Sequence, residues 1–176
     1  MEWYAVFVYE GKEDDVQKRL NARFKKSFLT LVPKKHTIFR RARGEKLGIK
    51  NLFPGYVFIR TDMDKDKYKI INQMSGVIQL VSAGKDFIKI DDDEIALILK
   101  LINKDGIIEI SKILKDAPGS KEFTVIEGPL KGMESIITRV DAHDRRAYVL
   151  LNHMGDPIKI EVGAKVIYKT DQNFNQ

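Results

Sequence analysis

Val125-Ile126-Glu127-Gly128-Pro129-Leu130-Lys131-Gly132-Met133 predicts a tight turn between two short strands. Gly128 can adopt a positive φ and Pro129 fixes φ near about −65°, so the pair makes a sharp corner after the first strand. The second strand is expected to begin near Glu134. Gly132 is expected to leave room where backbone or a ligand comes close. Gly-Pro turns between strands are common, so the meaning of this one depends on the segments around it.

The turn lies in a C-terminal region of short apolar runs that are typical of strands. Turns containing Gly, Pro or Asp separate them, and one of these turns is predicted at Gly163. The predicted strands are 122–126, 134–140, 146–151, 158–161 and 165–169. Five short strands in a segment of about 55 residues suit a small barrel, because a closed barrel has no free edges. We therefore predict a five-stranded all-β domain over residues 118–172.

The first part of the chain has a different pattern, in which strands alternate with helices. The predicted strands are 2–9, 29–39 with an interruption at Pro33, 52–61 and 77–82, and the predicted helices are 12–24, 64–74 and 92–103. The first and third strands are apolar on both faces, which is typical of central strands covered on both sides. This order predicts an α+β domain, an antiparallel sheet with flanking helices, over residues 1–103. Residues 104–117 are predicted to be an apolar linker that packs against the protein and contains a short strand or helical turn.

Composition excludes several classes of protein. The chain has 176 residues and no cysteine, which excludes disulfides, thiolate zinc sites and a cysteine nucleophile. No run approaches the roughly 18 apolar residues of a membrane-spanning helix, and the start lacks the basic character of a secretory signal, so a cytoplasmic protein is expected. No phosphate-binding loop, zinc-protease or serine-hydrolase motif is present, so we expect no enzyme and no cofactor. The acidic run at 91–94 indicates a helix start rather than a metal site.

Charge is distributed unevenly along the chain. The net charge of +6 combines +9 over residues 1–90 with −3 over residues 91–176. A basic half indicates a surface that faces phosphate or an acidic protein, although a charge that only keeps the protein soluble gives the same count. Residues 34–50 alone carry a net +6, and within this basic arm Arg40 to Lys50, with glycines at Gly44 and Gly48, are predicted to form a flexible hairpin arm or a loop.

Three segments taken together resemble the NusG family of transcription elongation factors over nearly the whole chain. They are Trp3-Tyr4-Ala5-Val6, Phe53-Pro54-Gly55-Tyr56-Val57-Phe58 and the turn at Gly128-Pro129. The resemblance implies a NusG N-terminal domain followed by a KOW domain, an SH3-like barrel. It also implies a monomeric factor that binds RNA polymerase across its cleft and suppresses pausing or termination, with the KOW domain recruiting RNA or a protein.

The resemblance also implies an apolar patch that contacts RNA polymerase. Phe7, Tyr56 and Phe58 match that patch by position, and Leu97 and Ile98 are expected to extend it. Strands that are apolar on both faces need cover, and a partner protein can cover one face. The alternative is that all five side chains belong to the core.

Nucleic acid is the second expected partner, as non-template DNA or as structured leader RNA. In the N-terminal domain the candidates are Lys34, Lys35, Arg40, Arg41, Arg43, Lys67 and Tyr68. The last two match positions that contact the non-template strand in the RfaH paralog. In the KOW domain the candidates for RNA binding are Lys131, Arg139, His143, Arg145 and Arg146. Lysine and arginine at this density can neutralise phosphates, while a solvated surface is the simpler alternative.

One segment departs from the family pattern. His153-Met154-Gly155-Asp156-Pro157 stands where the family often has Phe-Gly-Arg, in a loop that helps to contact a ribosomal protein or Rho. This difference and the basic arm favour a specialised antitermination paralog of the LoaP or RfaH kind. The alternative function is a translation-linked RNA-binding protein that uses the KOW barrel on ribosomal RNA.

Overall fold

The computed structural model describes residues 1–42, 44–83, 86–153 and 155–172, with the backbone alone at Arg40, Arg41, His153, Asp171 and Gln172. These residues fall into two compact units. Unit 1 comprises residues 1–33, 51–98 and 152–156, and unit 2 comprises residues 34–50, 99–151 and 157–176. The units do not by themselves define folding domains, so the boundaries at 103 and 118 stay a prediction.

The secondary structure is mixed along the whole chain. The first half contains β1 (Glu2–Val8), α1 (Glu13–Phe24), β2 (Leu29–Leu31), β3 (Lys34–Arg41), β4 (Gly44–Asn51), β5 (Tyr56–Thr61), α2 (Lys65–Asn72), β6 (Val77–Leu80), β7 (Ser82–Ala83), β8 (Asp86–Phe87) and β9 (Lys89–Ile90). The second half contains α3 (Asp92–Leu101), β10 (Ile107–Ile108), β11 (Ser111–Lys115), β12 (Phe123–Glu127), β13 (Ile137–Asp141), β14 (Arg146–His153), β15 (Asp156–Tyr168) and α4 (Lys169–Gln172). Short 3₁₀ turns lie at Lys25–Ser27 and Glu134–Ile136.

Unit 1 is built on an antiparallel sheet in the order β2-β5-β1-β6, with β9 also paired to β1. As predicted, the two strands that are apolar on both faces, β1 and β5, lie inside the sheet. Alternate residues of these strands join the apolar faces of α1 and α2 in one core, whose largest members include Tyr4, Leu20, Phe28, Ile59, Ile71 and Leu80. Ala5 and Phe58 point to the opposite face and are fully buried there too.

Unit 2 contains two sheets. The predicted basic arm is a β-hairpin of β3 and β4, and β10 extends it in parallel to β3. The second sheet has five strands in the order β12-β11-β15-β14-β13. One side of this sheet combines an antiparallel β11–β12 pair with a parallel β11–β15 pair, in which Ser111 is opposite Ala164. The interruption predicted at Pro33, which lacks a backbone donor, is confirmed, and the two parts of 29–39 belong to two different sheets.

Two other expectations about the C-terminal sheet are wrong. Gly163 is not a turn, because β15 runs unbroken through it, and the fifth strand is supplied by β11 from within the predicted linker. The reason is close packing: a Cβ added at Gly163 would lie 2.8 Å from the backbone oxygen of His36. The second strand after the Gly-Pro turn also begins later than Glu134, at Ile137, after one 3₁₀ turn.

The turn itself is confirmed and Gly128 has the positive φ expected of it, but the close approach expected at Gly132 is found at Gly128 instead. Gly128 has φ +98°, and an added Cβ would lie 2.6 Å from Ser111 Cα. Gly132 has φ +77° with open space around it. The amide of Leu130 donates a 3.1 Å hydrogen bond to the buried Ser111 hydroxyl, so the turn is fastened onto β11. The close backbone approach is therefore made by Gly128.

Candidate binding surfaces

The loop before β5 is held by a buried carboxylate. Glu13, the first residue of α1, is 1 % exposed, and its Oε1 accepts a 2.7 Å hydrogen bond from the backbone amide of Gly55. The Gly55 carbonyl in turn accepts a 2.8 Å hydrogen bond from the amide of Val8. Gly55 has φ +82°, and a Cβ there would lie 3.3 Å from the ring of Phe7. The loop is thereby fixed against β1, which sets the position of the next residue, Tyr56.

Phe7 and Tyr56 form the exposed part of the predicted aromatic patch. They are opposite each other in the β1–β5 register, and their ring centroids are 5.3 Å apart at an angle of 39°. Both side chains are partly exposed. Two rigid aromatic rings on central strands make an apolar surface that can pack against a partner with little loss of side-chain entropy.

The other members of the predicted patch are less accessible. Phe58 is 0 % exposed and packs edge-to-face against Phe53 at 5.5 Å, and Ile98 is 2 % exposed. The expectation that Phe58 faces solvent is wrong, because this chain itself covers that face of β5. Leu97 is partly exposed. A polymerase-binding role for these five residues stays a prediction, and in this structure only Phe7, Tyr56 and Leu97 present surface for it.

Lys67 and Tyr68 lie on α2 and already have partners within unit 1. The ammonium of Lys67 forms a 2.8 Å ion pair with Asp64, whose side chain also accepts from the Lys67 amide and caps the helix. Hydrogen bonds from Lys67 hold the pKa of the exposed Asp64 carboxyl below its usual range. The ring of Tyr68 packs at 5.1 Å from that of Phe87. Their role in binding DNA stays a prediction.

The basic hairpin and the C-terminal sheet bring two of the predicted sites together within unit 2. Lys35 on β3 donates a 2.6 Å hydrogen bond to the backbone oxygen of Glu161 on β15. The carboxylate of Glu161 pairs at 2.6 Å with Arg146 on β14. Arg145, which has φ +53°, pairs with Glu45 of the hairpin. The sequence placed these basic residues in separate sites, and the structure joins them in one cluster.

The cluster surrounds a small cavity of about 90 Å³. Its lining residues are Lys35, His36, Thr37, Lys50, Arg146, Glu161, Val162 and Gly163. Burial lowers the pKa of Lys35 from the ordinary value of 10.5, and Arg146 and Lys50 lower it further, while Glu161 partly opposes the shift. The described lining contains none of Lys131, Arg139 and His143.

The remaining predicted nucleic-acid-binding residues have the following positions. Lys131 and His143 are exposed, while Arg139 pairs with Asp141 and its guanidinium lies 5.1 Å from the centre of the Tyr148 ring. Lys34 is partly buried at the start of β3. The backbone of Arg40 and Arg41 belongs to β3, and Arg43 and Met154 lie outside the described residues. Nucleic-acid binding by these residues stays a prediction.

The sequence of this chain is similar to those of known proteins. The family model described as "Transcription termination factor nusG" matches residues 1–99, more than half of the chain. The chain belongs to the NusG family. Among curated relatives, it is 26 % identical to the "Transcription termination/antitermination protein NusG" of Deinococcus radiodurans, covering 96 % of this chain and 99 % of that protein. The protein of the same name from Thermus thermophilus is 25 % identical, with 96 % and 98 % covered.

A solved structure shows the same fold. The structure described as "Domain interaction in Thermotoga maritima NusG" has a TM-score of 0.51 at 22 % identity and covers 92 % of this chain and 93 % of that one. The predicted α+β fold with a C-terminal KOW-like β-sheet is thereby confirmed. NusG proteins are transcription termination and antitermination factors, which agrees with the function expected from the resemblance.

Sequence reasoning missed the acidic residues that organise these NusG surfaces. Glu13 was explained by the helix dipole alone, yet its carboxylate also fixes the loop at Gly55. The pairing of Glu161 with Arg146 and of Glu45 with Arg145 is not predicted from the sequence. A usable signal was Glu161 itself, a charged residue between Ile160 and Val162 in an apolar strand. In the described residues, no group of three or more acidic or histidine side chains is placed to hold a metal. No helix there has both the length and the apolarity to span a membrane.

Proposed function

We propose that this NusG-family protein binds RNA polymerase through the Phe7–Tyr56 pair and suppresses pausing or termination. The observation that carries the proposal is the partial exposure of two aromatic rings in tilted contact on central strands, at the end of a loop fixed by Glu13. Covering such a surface with a partner is energetically favourable, because each aromatic side chain buries about 150–250 Å² in full contact. The protein acts by binding and bridging, and none of its proposed steps requires catalysis or a cofactor.

The experiment is polymerase binding by the full chain carrying Tyr56→Ala. A central interface aromatic typically costs at least about 2 kcal/mol when truncated, so the affinity should fall roughly 30-fold or more. Tyr9→Ala is the matched control, because Tyr9 is 62 % exposed in the same unit but outside the pair. Equal affinities for the two variants would show that the pair is not the contact.

A second contact, to nucleic acid, is supported by the basic hairpin. Seven of residues 34–50 are Lys or Arg and one is acidic, and β3 and β4 of this segment are neighbours in a three-stranded sheet. Basic ribbons of this kind can lie along a phosphate backbone and release counterions. The contact would hold non-template DNA or structured leader RNA beside the polymerase, as expected of a specialised antitermination paralog.

A further inference from the structure

We propose that unit 2 contains a pocket for one phosphate group, built jointly by the β3–β4 hairpin and the β14–β15 pair. The walls are Lys35 and Lys50 from the hairpin and Arg146 and Gly163 from the sheet. The pocket itself is defined by contacts inside unit 2. Only the source of the phosphate rests on the proposed nucleic-acid contact. The pocket gives Lys35 and Arg146 one shared ligand in place of two separate sites.

The charges around the cavity are unbalanced in favour of an anion. Lys35, Lys50 and Arg146 line it together with one carboxylate, Glu161, which is engaged by Arg146. Neither lysine forms an ion pair with a carboxylate of the described residues. Lys35 uses one donor on the Glu161 carbonyl, and an ammonium has three, so donors remain for a ligand. Lys50 lies 5.0 Å from the centre of the Phe39 ring, which keeps its ammonium beside the pocket.

Buried donors in the same cluster point to the same kind of ligand. Within the part of the chain that the structure describes, the Nε atoms of Arg145 and Arg146 are buried with no hydrogen-bond partner, and of the two only Arg146 lines the pocket. Buried N–H groups without partners are unfavourable and rare, and oxygen-rich anions are the groups that arginine binds best. The lowered pKa of Lys35 fits this arrangement, because a positive charge held among other cations is stabilised when an anion enters.

The size of the cavity limits what can enter. The cavity, of about 90 Å³, has room for more than one water molecule and so for a small oxyanion. The contacts that its charged lining offers to phosphate oxygens carry no sequence information. Gly163 contributes by having no side chain, since any Cβ there would meet the backbone of His36 and push the hairpin away.

The test uses the full chain and two probes, inorganic phosphate and an RNA hairpin of arbitrary sequence. Lys50→Gln is the main variant, because Lys50 is exposed and its loss leaves the ion pairs intact. Lys131→Gln is the matched control, an exposed lysine of unit 2 outside the lining. Phosphate should raise the melting temperature of the wild type and of Lys131→Gln above that in chloride of equal ionic strength. The rise should be lost in Lys50→Gln.

The RNA arm identifies the source of the phosphate. If the pocket holds a backbone phosphate, Lys50→Gln should reduce the slope of log K against log salt by about one more than Lys131→Gln does. A loss of phosphate stabilisation with unchanged RNA binding would also support the pocket and assign it to a free phosphate or nucleotide. Absence of phosphate-specific stabilisation together with equal slopes in the two variants overturns the proposal. Polymerase binding through Tyr56 is measured separately, so its failure is distinguishable from this one.

Discussion

The backbone amide of Gly55 donates a 2.7 Å hydrogen bond to the carboxylate of Glu13, which is almost wholly buried. This bond connects the start of α1 to the loop that carries Tyr56. The two residues are far apart in sequence, yet the bond sets how the aromatic pair is presented. The proposed polymerase contact therefore depends on a residue that does not belong to the exposed surface.

Substituting Glu13 should affect binding as well as stability. Glu13→Ala leaves the Gly55 amide buried without an acceptor, so the free energy of unfolding should fall by about 1–3 kcal/mol in urea titrations. Glu13→Gln keeps a side-chain oxygen at this position and should lose less. Polymerase affinity should follow the same order, Gln above Ala. Identical affinities for the two variants would argue against a positioning role for Glu13.

Phe58 and Tyr56 should respond differently to truncation, although they are two residues apart on β5. Phe58 is fully buried, so Phe58→Ala should cost about 3–5 kcal/mol of stability by loss of packing and formation of a cavity. Tyr56→Ala should cost much less because its ring is partly exposed. Thermal unfolding of both variants measures the difference. A cooperative loss of stability in Tyr56→Ala as large as that in Phe58→Ala would place Tyr56 in the core.

The arm should make nucleic-acid binding depend on salt. Each phosphate contact contributes a slope of about −0.9 in log K against log salt for duplex DNA, so replacing Arg40, Arg41 and Arg43 with Ala should flatten the slope by up to about three. The control is a second triple variant, in which Lys18, Lys26 and Lys69, all outside the arm, are replaced by Ala. If both triple variants change the slope equally, the arm contributes only general charge.

The two glycines of the Gly-Pro turn provide a matched pair. Both have positive φ, so Ala at either position strains the backbone, by about 1 kcal/mol. Only Gly128 also lacks space, because its Cβ would meet the backbone of Ser111 and Ile110. Gly128→Ala should therefore be less stable than Gly132→Ala by a further 1–3 kcal/mol or so. Chemical denaturation of the two variants side by side tests this, and equal stabilities would contradict the observed packing of the turn.

Lys35 should make stability depend on pH in the alkaline range. Its pKa is lowered in the folded protein by burial and by Arg146 and Lys50, against the partial opposition of Glu161. The unfolded chain then binds more protons than the folded one between the lowered pKa and 10.5, so wild-type stability should rise with pH there. Lys35→Met removes this contribution. The free energy of unfolding of the wild type relative to Lys35→Met should increase as pH rises, and a constant difference would exclude the shift.

The sequence predicted the elements whose signals are local. The apolar stripe of Val16 and Leu20, with acids in the first turn, predicted α1 to within a residue of its observed limits. Strand β11 was predicted only as a short strand or helical turn within the linker, because Lys112 and Lys115 give it the composition of a linker and one of its two partners, β15, lies far along the chain. Gly163 was predicted to be a turn for a similar reason, since only the approach of His36 explains a glycine within a strand.

For the candidate sites too, local signals were predictable from the sequence and long-range contacts were not. Density of lysine and arginine located the basic hairpin, because charge can be counted along the chain. The pairing of Arg146 with Glu161, and the burial of Phe58, depend on which strands meet in space. Residue types therefore predicted the kinds of ligand, while the grouping of residues into one pocket required the fold.

The parallel pairing of β11 with β15 has a consequence for the protein during its synthesis. Ser111 leaves the ribosome about 50 residues before Ala164, the residue that it faces in the finished sheet. At roughly 5–20 residues per second, β11 lacks its parallel partner β15 for about 3–10 seconds of translation. Only the hairpin partner β12 is available during that interval, so the nascent chain exposes an open sheet edge. Chaperone binding or misassociation of neighbouring nascent chains is expected to concentrate on this edge until the last long strand emerges.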